Sequence, residues 1–237
     1  MNILAIDTAL GACSVAVLSG EHVVAEEHEA MLRGHAEALA PMVQRVIGIA
    51  GLPFSALDRI GVTTGPGTFT GQRVGLAFAR ALGVALKIPV VGTTTLHAMA
   101  EEALAALSGA AWAITAADAK RGEVYLAAYA RGGKILVPPR LVVVSAVLVE
   151  LSQPAGECGL MPVLAGTAAP LVESMFKGAG HQASDSGVRQ PKAIFVGLLV
   201  ANSADVGPPR PLYLRRVPVL LCGRSGSQGA SHERRDR

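Results

Sequence analysis

Asp7 and Thr8 end an apolar run that starts at Asn2, and a turn over 8–11 leads directly into a second apolar run, Cys13 to Leu18. A carboxylate at such a strand end can handle Mg²⁺, and the N–H groups of the turn can hold phosphate. Asp and Thr are also ordinary turn residues that bind nothing. A second candidate is Gly65-Pro-Gly67-Thr-Phe-Thr70-Gly71, between a strand pattern and a helix pattern. Glycine lets a backbone come close to a ligand or a packing partner, and the N–H groups of a helix start attract anions. The spacing G-x-G-x-x-x-G is neither the dinucleotide fingerprint nor the P-loop, and no Gly-Lys-Ser or Gly-Lys-Thr occurs. A tight turn capped by Thr70 accounts for the same residues without a ligand.

Gly71, Gly75, Ala79 and Gly83 then recur every four residues, a small-residue stripe on one helix face. Two interior glycines cost roughly 1 kcal/mol each against alanine, so a close packing partner is expected. That partner is either the chain's own sheet or a helix of another subunit. Asp118, Arg121, Glu123 and Tyr125 gather around a hairpin as a candidate substrate-facing cluster, with a solvated charged turn as the plainer alternative. His97 and Glu101 share a helix face, which is too few ligands for a metal and is read as a solvated face. The sequence has no His-x-x-x-His, no zinc-finger spacing, no Gly-x-Ser-x-Gly elbow and no Ser-x-x-Lys. Cys13 reads as a buried strand cysteine.

The elements that must position these residues follow from periodicity. Three short strands, Asn2–Asp7, Cys13–Leu18 and His22–Glu29, imply antiparallel pairing. Ala36, Leu39, Val43, Val46 and Ile47 have helical spacing, with Pro41 marking a helix start or a kink. A strand over Arg59–Thr64, a helix to Leu86, a strand over Ile88–Val91 and a helix over Thr94–Leu107 follow. This alternation implies a mixed sheet with parallel crossovers. A second unit opens near Ala110 with a hairpin, Trp112–Asp118 and Glu123–Ala130, and a strand within Lys134–Val144. It continues with a weak helix over Ser145–Ser152, a strand over Met161–Ala165 and a helix over Ala168–Lys177. A loop over 178–190 leads to a helix over Pro191–Ala204 that starts on its proline. Residues 217–237 read as a disordered tail.

At 237 residues the chain can bury its own core without staples. Apolar residues make up 51% and charged ones 16%, which excludes wholesale disorder. Mean hydropathy is +0.42, yet no uninterrupted apolar run reaches the roughly 18–20 residues that span a membrane. Three scattered cysteines suit a reducing cytoplasm, and no signal peptide is visible. The net charge of +3 lies largely in the tail, so no broad basic face for nucleic acid is expected.

Met1-Asn-Ile-Leu-Ala-Ile-Asp-Thr8, His35-Ala-Glu37-Ala-Leu39-Ala-Pro41 and Gly65-Pro-Gly-Thr-Phe-Thr-Gly-Gln-Arg73-Val-Gly75 together resemble the TsaB (YeaZ-like) family of tRNA threonylcarbamoyladenosine biosynthesis proteins. Asp118-Ala-Lys-Arg-Gly-Glu-Val-Tyr125 and Pro211-Leu-Tyr-Leu-Arg215 resemble its later motifs, and the likeness spans residues 1–216. It implies a two-lobed actin-like α/β fold with mixed five-stranded sheets. Residues 1–108 would form the first lobe, carrying the dimerisation helices, and 109–216 the second, smaller one. It also implies a non-catalytic, cytoplasmic subunit that activates the related transferase TsaD, with a TsaE-like P-loop ATPase in the complex. That complex modifies the adenosine beside the anticodon of ANN-decoding tRNAs. The chain would form homodimers or heterodimers and meet tRNA only through the complex, with no membrane involved.

On this reading Asp7, Thr8, Gly65, Gly67 and Thr70 are a vestigial phosphate loop. His35, Leu39, Val43, Val46, Gly71, Arg73, Gly75, Phe78, Ala79 and Leu82 face the partner, and the stripe becomes an intersubunit contact. No metal and no tightly bound cofactor are expected, with room for ATP or ADP and Mg²⁺ only in the assembled complex. Gln72 stands where the family usually has an apolar residue, and the Arg- and Ser-rich end past Arg216 departs from it. The alternatives are an ATP-dependent phosphotransferase built on Asp7 and, last, a metallopeptidase-like protein.

Overall fold

A computed structural model describes residues 1–158, 161–204 and 207–215. The expectation for 217–237 lies outside the described residues. Two five-stranded sheets organise the chain. In the first, β1 (Asn2–Asp7), β2 (Ala12–Ser19), β3 (His22–Ala30), β4 (Arg59–Thr63) and β5 (Val90–Thr93) lie in the order β3-β2-β1-β4-β5. The pairs β1–β2 and β2–β3 are antiparallel, whereas β1–β4 and β4–β5 are parallel. In the second, β6 (Trp112–Lys120), β7 (Glu123–Ala130), β8 (Ile135–Val143), β9 (Val163–Ala165) and β10 (Ser184–Asp185) take the order β10-β9-β6-β7-β8. The two-residue β10 falls inside the segment read as loop. β8 accommodates Pro138 and Pro139 because it is an edge strand.

Strand alternation decides which face meets which helix. Leu4 and Ile6 point to α1 (His35–Ala50) and α2 (Phe69–Leu86). Ile3 and Ala5 point the other way, to α6 (Ala193–Ala201) and to Ala98 of α3 (Thr95–Ala106). In the second sheet Trp112, Ile114 and Ala116 meet α4 (Val147–Cys158) and α5 (Ala169–Gly178). Ala113, Ala117 and Val163 meet Leu96, Met99 and Ala103 of α3. Helices α3 and α6 therefore lie in contact between the sheets, with α1 and α2 outside one sheet and α4 and α5 outside the other. None of the described helices is long and apolar enough to cross a membrane.

The boundary expected at residue 108 separates the two sheets but not the helices. α6, well inside 109–216, packs on β1, β2 and β4 of the first sheet. Its uniformly apolar sequence does not reveal which sheet it covers. α6 also begins at Ala193, after Pro191 rather than on it. Pro41 lies inside α1, on its exposed side, and neither starts nor ends the helix. α4 runs on through Pro154, beyond the weak helix expected to stop at Ser152.

Candidate functional site

The parallel pairing of β1 with β4 sets Asp7 beside Thr63 at the carboxyl ends of the two central strands, where open α/β sheets bind ligands. The Thr63 hydroxyl donates to Asp7 Oδ1 at 2.5 Å and the Ala9 N–H donates to the same oxygen at 3.3 Å. Asp7 Oδ2 is buried without a hydrogen-bond partner among the described residues. Burial raises the Asp7 pKa to about 7, with the two donors pulling it down only in part. The side chain has no solvent exposure.

The turn after Asp7 is held from three directions. The Thr8 hydroxyl donates to the Gly71 carbonyl at 2.7 Å, and the Thr68 N–H donates to the Ala9 carbonyl at 2.8 Å. His35 Nε2 lies 3.1 Å from the Leu10 carbonyl. The Gly11 N–H donates to Gln190 Oε1 at 2.8 Å, and the Gly11 carbonyl accepts from Met31. A Cβ on Gly67 would stand 2.2 Å from the Ala9 carbonyl oxygen, and one on Gly71 2.2 Å from that of Thr8. The glycines thus bring the loop against the chain's own backbone, not against a ligand. Thr68, not Thr70, caps α2, by accepting from the Gly71 N–H; Thr70 is exposed in the first turn. The Gln72 amide lies over Gly65, and its buried Oε1 has no partner among the described residues.

A magnesium nucleotide needs a reachable carboxylate and free N–H groups. Here the carboxylate is sealed, and the Ala9 and Gly11 N–H groups are spent on Asp7 and Gln190. The residues present do not fit that group. Gln190 and Thr63 carry much of this arrangement and were not foreseen. Gln190 is 179 positions from Gly11, and no local pattern links the two.

The residues expected at the partner surface divide. Leu39, Val43 and Val46 are core, and His35 is nearly buried. Gly71, Gly75 and Ala79 are buried as well, since the stripe packs within the chain: a Cβ on Gly75 would meet the Thr8 hydroxyl at 2.6 Å. Phe78 and Leu82 are half-buried, and Arg73 is exposed. The exposed face of α2 instead carries Ala77, Ala81 and Ala85, again four apart, with Val84 beside them at 80% exposure. On the adjoining α1, Ile49 is 71% exposed.

The hairpin cluster resolves into turn chemistry. Asp118 accepts from the Lys120 N–H and pairs with the Lys120 ammonium at 2.6 Å; that ammonium and the N–H hold its carboxyl below the usual range. Arg121 stands exposed at the tip, and Tyr125 is half-buried against the core around α3. Glu123 has a longer reach. Arg215 Nη2 lies 2.5 Å from Glu123 Oε2 and donates to the Ala119 carbonyl at 2.8 Å. Residues 207–215 run as a strap along α2, with Pro209 against Arg80 and Tyr213 against Arg73, so this pair ties the strap to the second sheet. Arg215→Ala is expected to cost about 1–2 kcal/mol, a lost partly buried charged hydrogen bond, read as a lower urea midpoint. His97 is not on a solvated face: its ring stacks on Tyr129 at 4.4 Å, with Nε2 3.6 Å from Glu101. Among the described residues no three His, Cys, Asp or Glu side chains cluster as a metal site.

Comparison with known proteins adds to this geometry. A family model described as TsaD, tRNA N6-adenosine threonylcarbamoyltransferase, matches residues 22–206. The TsaB protein of Escherichia coli, named for tRNA threonylcarbamoyladenosine biosynthesis, is 40% identical over 131 residues. That match spans 55% of this chain and 56% of the relative, about half the length of each. The YeaZ structure from Pseudomonas aeruginosa superposes with a TM-score of 0.73 at 28% identity, covering 90% of this chain and 99% of that one. A hexokinase from Thermus thermophilus, at 15% identity and a TM-score of 0.51 over 84% of this chain and 98% of its own, shares the fold alone. The two-sheet architecture is that of the actin-like ATPase fold.

Proposed function

The chain belongs to the TsaD family, among its TsaB-like (YeaZ-like) members, and from this we propose that it is a non-catalytic subunit for threonylcarbamoylation of tRNA adenosine. It binds and activates a TsaD-like transferase in the cytoplasm, with a TsaE-like P-loop ATPase in the assembly, and acts on the adenosine beside the anticodon of ANN-decoding tRNAs. The observation that carries the non-catalytic role is the corner after β1. Asp7 is sealed, and the Ala9 and Gly11 N–H groups of the turn are bonded within the chain, to Asp7 itself and to Gln190. A protein whose phosphate corner is filled by its own side chains is built to hold a shape.

The surface offered to the transferase, or to a second copy of the chain, is the outer side of α1 and α2. Ala77, Ala81 and Ala85 let a partner helix approach closely, and Ile49 and Val84 supply apolar area. The test is reconstitution by omission: transferase, P-loop ATPase, threonylcarbamoyl-adenylate and tRNA with and without this chain, modified adenosine being counted by mass spectrometry. Modification is expected to depend on the chain. Ala81→Arg, on the exposed face, is expected to keep the wild-type urea midpoint and weaken transferase binding at least about tenfold, the scale of a disrupted interface core. Modification that proceeds without the chain overturns the role. Unchanged affinity of Ala81→Arg overturns the surface.

A further inference from the structure

One side of α2 differs in chemistry from the rest of the molecule. From Arg59 to Ala100 the sequence has four cationic residues, Arg59, Arg73, Arg80 and Lys87, and no Asp or Glu; residues 207–215 add Arg210 and Arg215, again without an acid. The fold brings these stretches together, because the strap lies along α2 on the side of Arg73 and Arg80. These two are seven residues apart and share a helix face. At the helix start the Arg73 guanidinium sits 3.5 Å over the Phe69 ring and donates to the Tyr213 hydroxyl at 2.8 Å. The two rings lie 5.7 Å apart and tilted by 30°, and they remain 51% and 43% exposed. Arg210 is exposed on the strap between the ties. Arg215 draws in the β6–β7 hairpin, whose tip presents exposed Arg121, while Glu123 is neutralised by Arg215 itself.

We propose that this side of α2, with Phe69, Arg73 and Tyr213 at its centre and Arg80, Arg210 and Arg121 around them, is a contact site for single-stranded RNA. The exposed parts of the Phe69 and Tyr213 rings, one Phe69 face being covered by Arg73, offer stacking surface to bases of any sequence, and arginines without an acidic partner donate to the backbone phosphates. A planar guanidinium already fixed against both rings is held for this at little entropic cost. Charge complementarity favours a polyanion over a protein helix here. Ala81 and Ala85 of the partner face lie about 80–120° further round α2 from Arg73, whereas Ala77 and Val84 lie within about 20–40° of it, so the RNA site borders the partner surface along this edge. The low net charge of the chain conceals the site, since acids elsewhere offset these arginines.

This deepens the proposed role and rests on it for the choice of RNA as the polyanion. The experiment titrates the full chain against a short fluorescein-labelled oligouridine by anisotropy across a salt series. Wild type is expected to bind with salt-dependent affinity. Arg73→Gln/Tyr213→Ala is expected to weaken binding at least about tenfold, the scale of a lost base stack. Arg210→Glu, which leaves the strap's ties intact, is expected to weaken it and to flatten the salt slope by about 0.7 or more. Lys177→Glu, exposed on α5 outside the second sheet, controls for net charge and is expected to stay near wild type. No binding by wild type, or equal loss in Lys177→Glu, overturns the site. So does a double variant that loses the transferase but keeps oligouridine. Failure here alongside a successful reconstitution removes only the RNA contact; RNA binding by a chain that is dispensable for modification removes only the proposed role.

Discussion

Gly71→Val is expected to cost the chain about 3–5 kcal/mol of folding stability, and it should do so in the isolated protein. Gly71 is buried in the first turn of α2, where its own carbonyl accepts the Thr8 hydroxyl. Any Cβ there would stand 2.2 Å from the Thr8 carbonyl oxygen and 2.6 Å from the Thr68 hydroxyl that caps the helix. Neither neighbour can yield. The first is the backbone of a turn held by α1, α2 and Gln190, and the second is engaged with the Gly71 N–H. Overpacking costs about 1–3 kcal/mol, and losing the cap and the buried hydroxyl bond adds about 1 kcal/mol each. Urea unfolding of the free chain reads the loss. A wild-type midpoint together with weakened transferase binding would return the stripe to the intersubunit role that the family resemblance implied.

That stripe shows where the sequence speaks and where it stops. Four-residue recurrence at Gly71, Gly75, Ala79 and Gly83 states that something packs closely; it does not state what. Both candidate partners, the chain's own sheet and a foreign helix, require the same small residues. Only the placement of Thr8 under Gly75 decides between them. The second small-residue row, Ala77, Ala81 and Ala85, was masked by the first, because alanine in a helix needs no explanation. Strands and helices were legible wherever pattern and length agreed, as in β1 to β4, α2 and α3. Two misses follow from single residues: Pro154 hid the second half of α4, and Pro191 displaced the start of α6; β10 is too short for a pattern, and β5 lies two residues beyond the expected Ile88–Val91. The links that complete the site, Gln190 to Gly11 and Arg215 to Glu123, join positions far apart in the chain and leave no periodic trace.

Asp7→Asn is the second substitution with a large expected effect, and its sign depends on pH. The folded Asp7 carboxyl, raised by burial, titrates near 7 against an ordinary 3.8. Between about pH 4 and 7 the folded chain holds a proton that the unfolded chain has released, so stability falls as pH rises through this window. Above pH 7 both states are ionised and the full cost of the buried charge is present, about 4 kcal/mol for three pKa units. Asparagine removes that charge and keeps an acceptor for Thr63 and Ala9. It also places an amide N–H₂ where Oδ2 has no partner, a penalty of about 1–3 kcal/mol. The variant is therefore expected to be more stable than wild type by about 1–3 kcal/mol at pH 8, with the advantage shrinking on acidification and reversing between about pH 4.5 and 6. Urea midpoints of both proteins across this range measure the crossing. A constant difference at every pH would mean that the carboxylate is matched inside the fold. The same variant separates a scaffold from a phosphotransferase. A carboxylate that only fills a sealed corner can be replaced without loss of tRNA modification, whereas one that carries Mg²⁺ cannot. Loss of modification by Asp7→Asn with transferase binding intact would place a ligand at this corner.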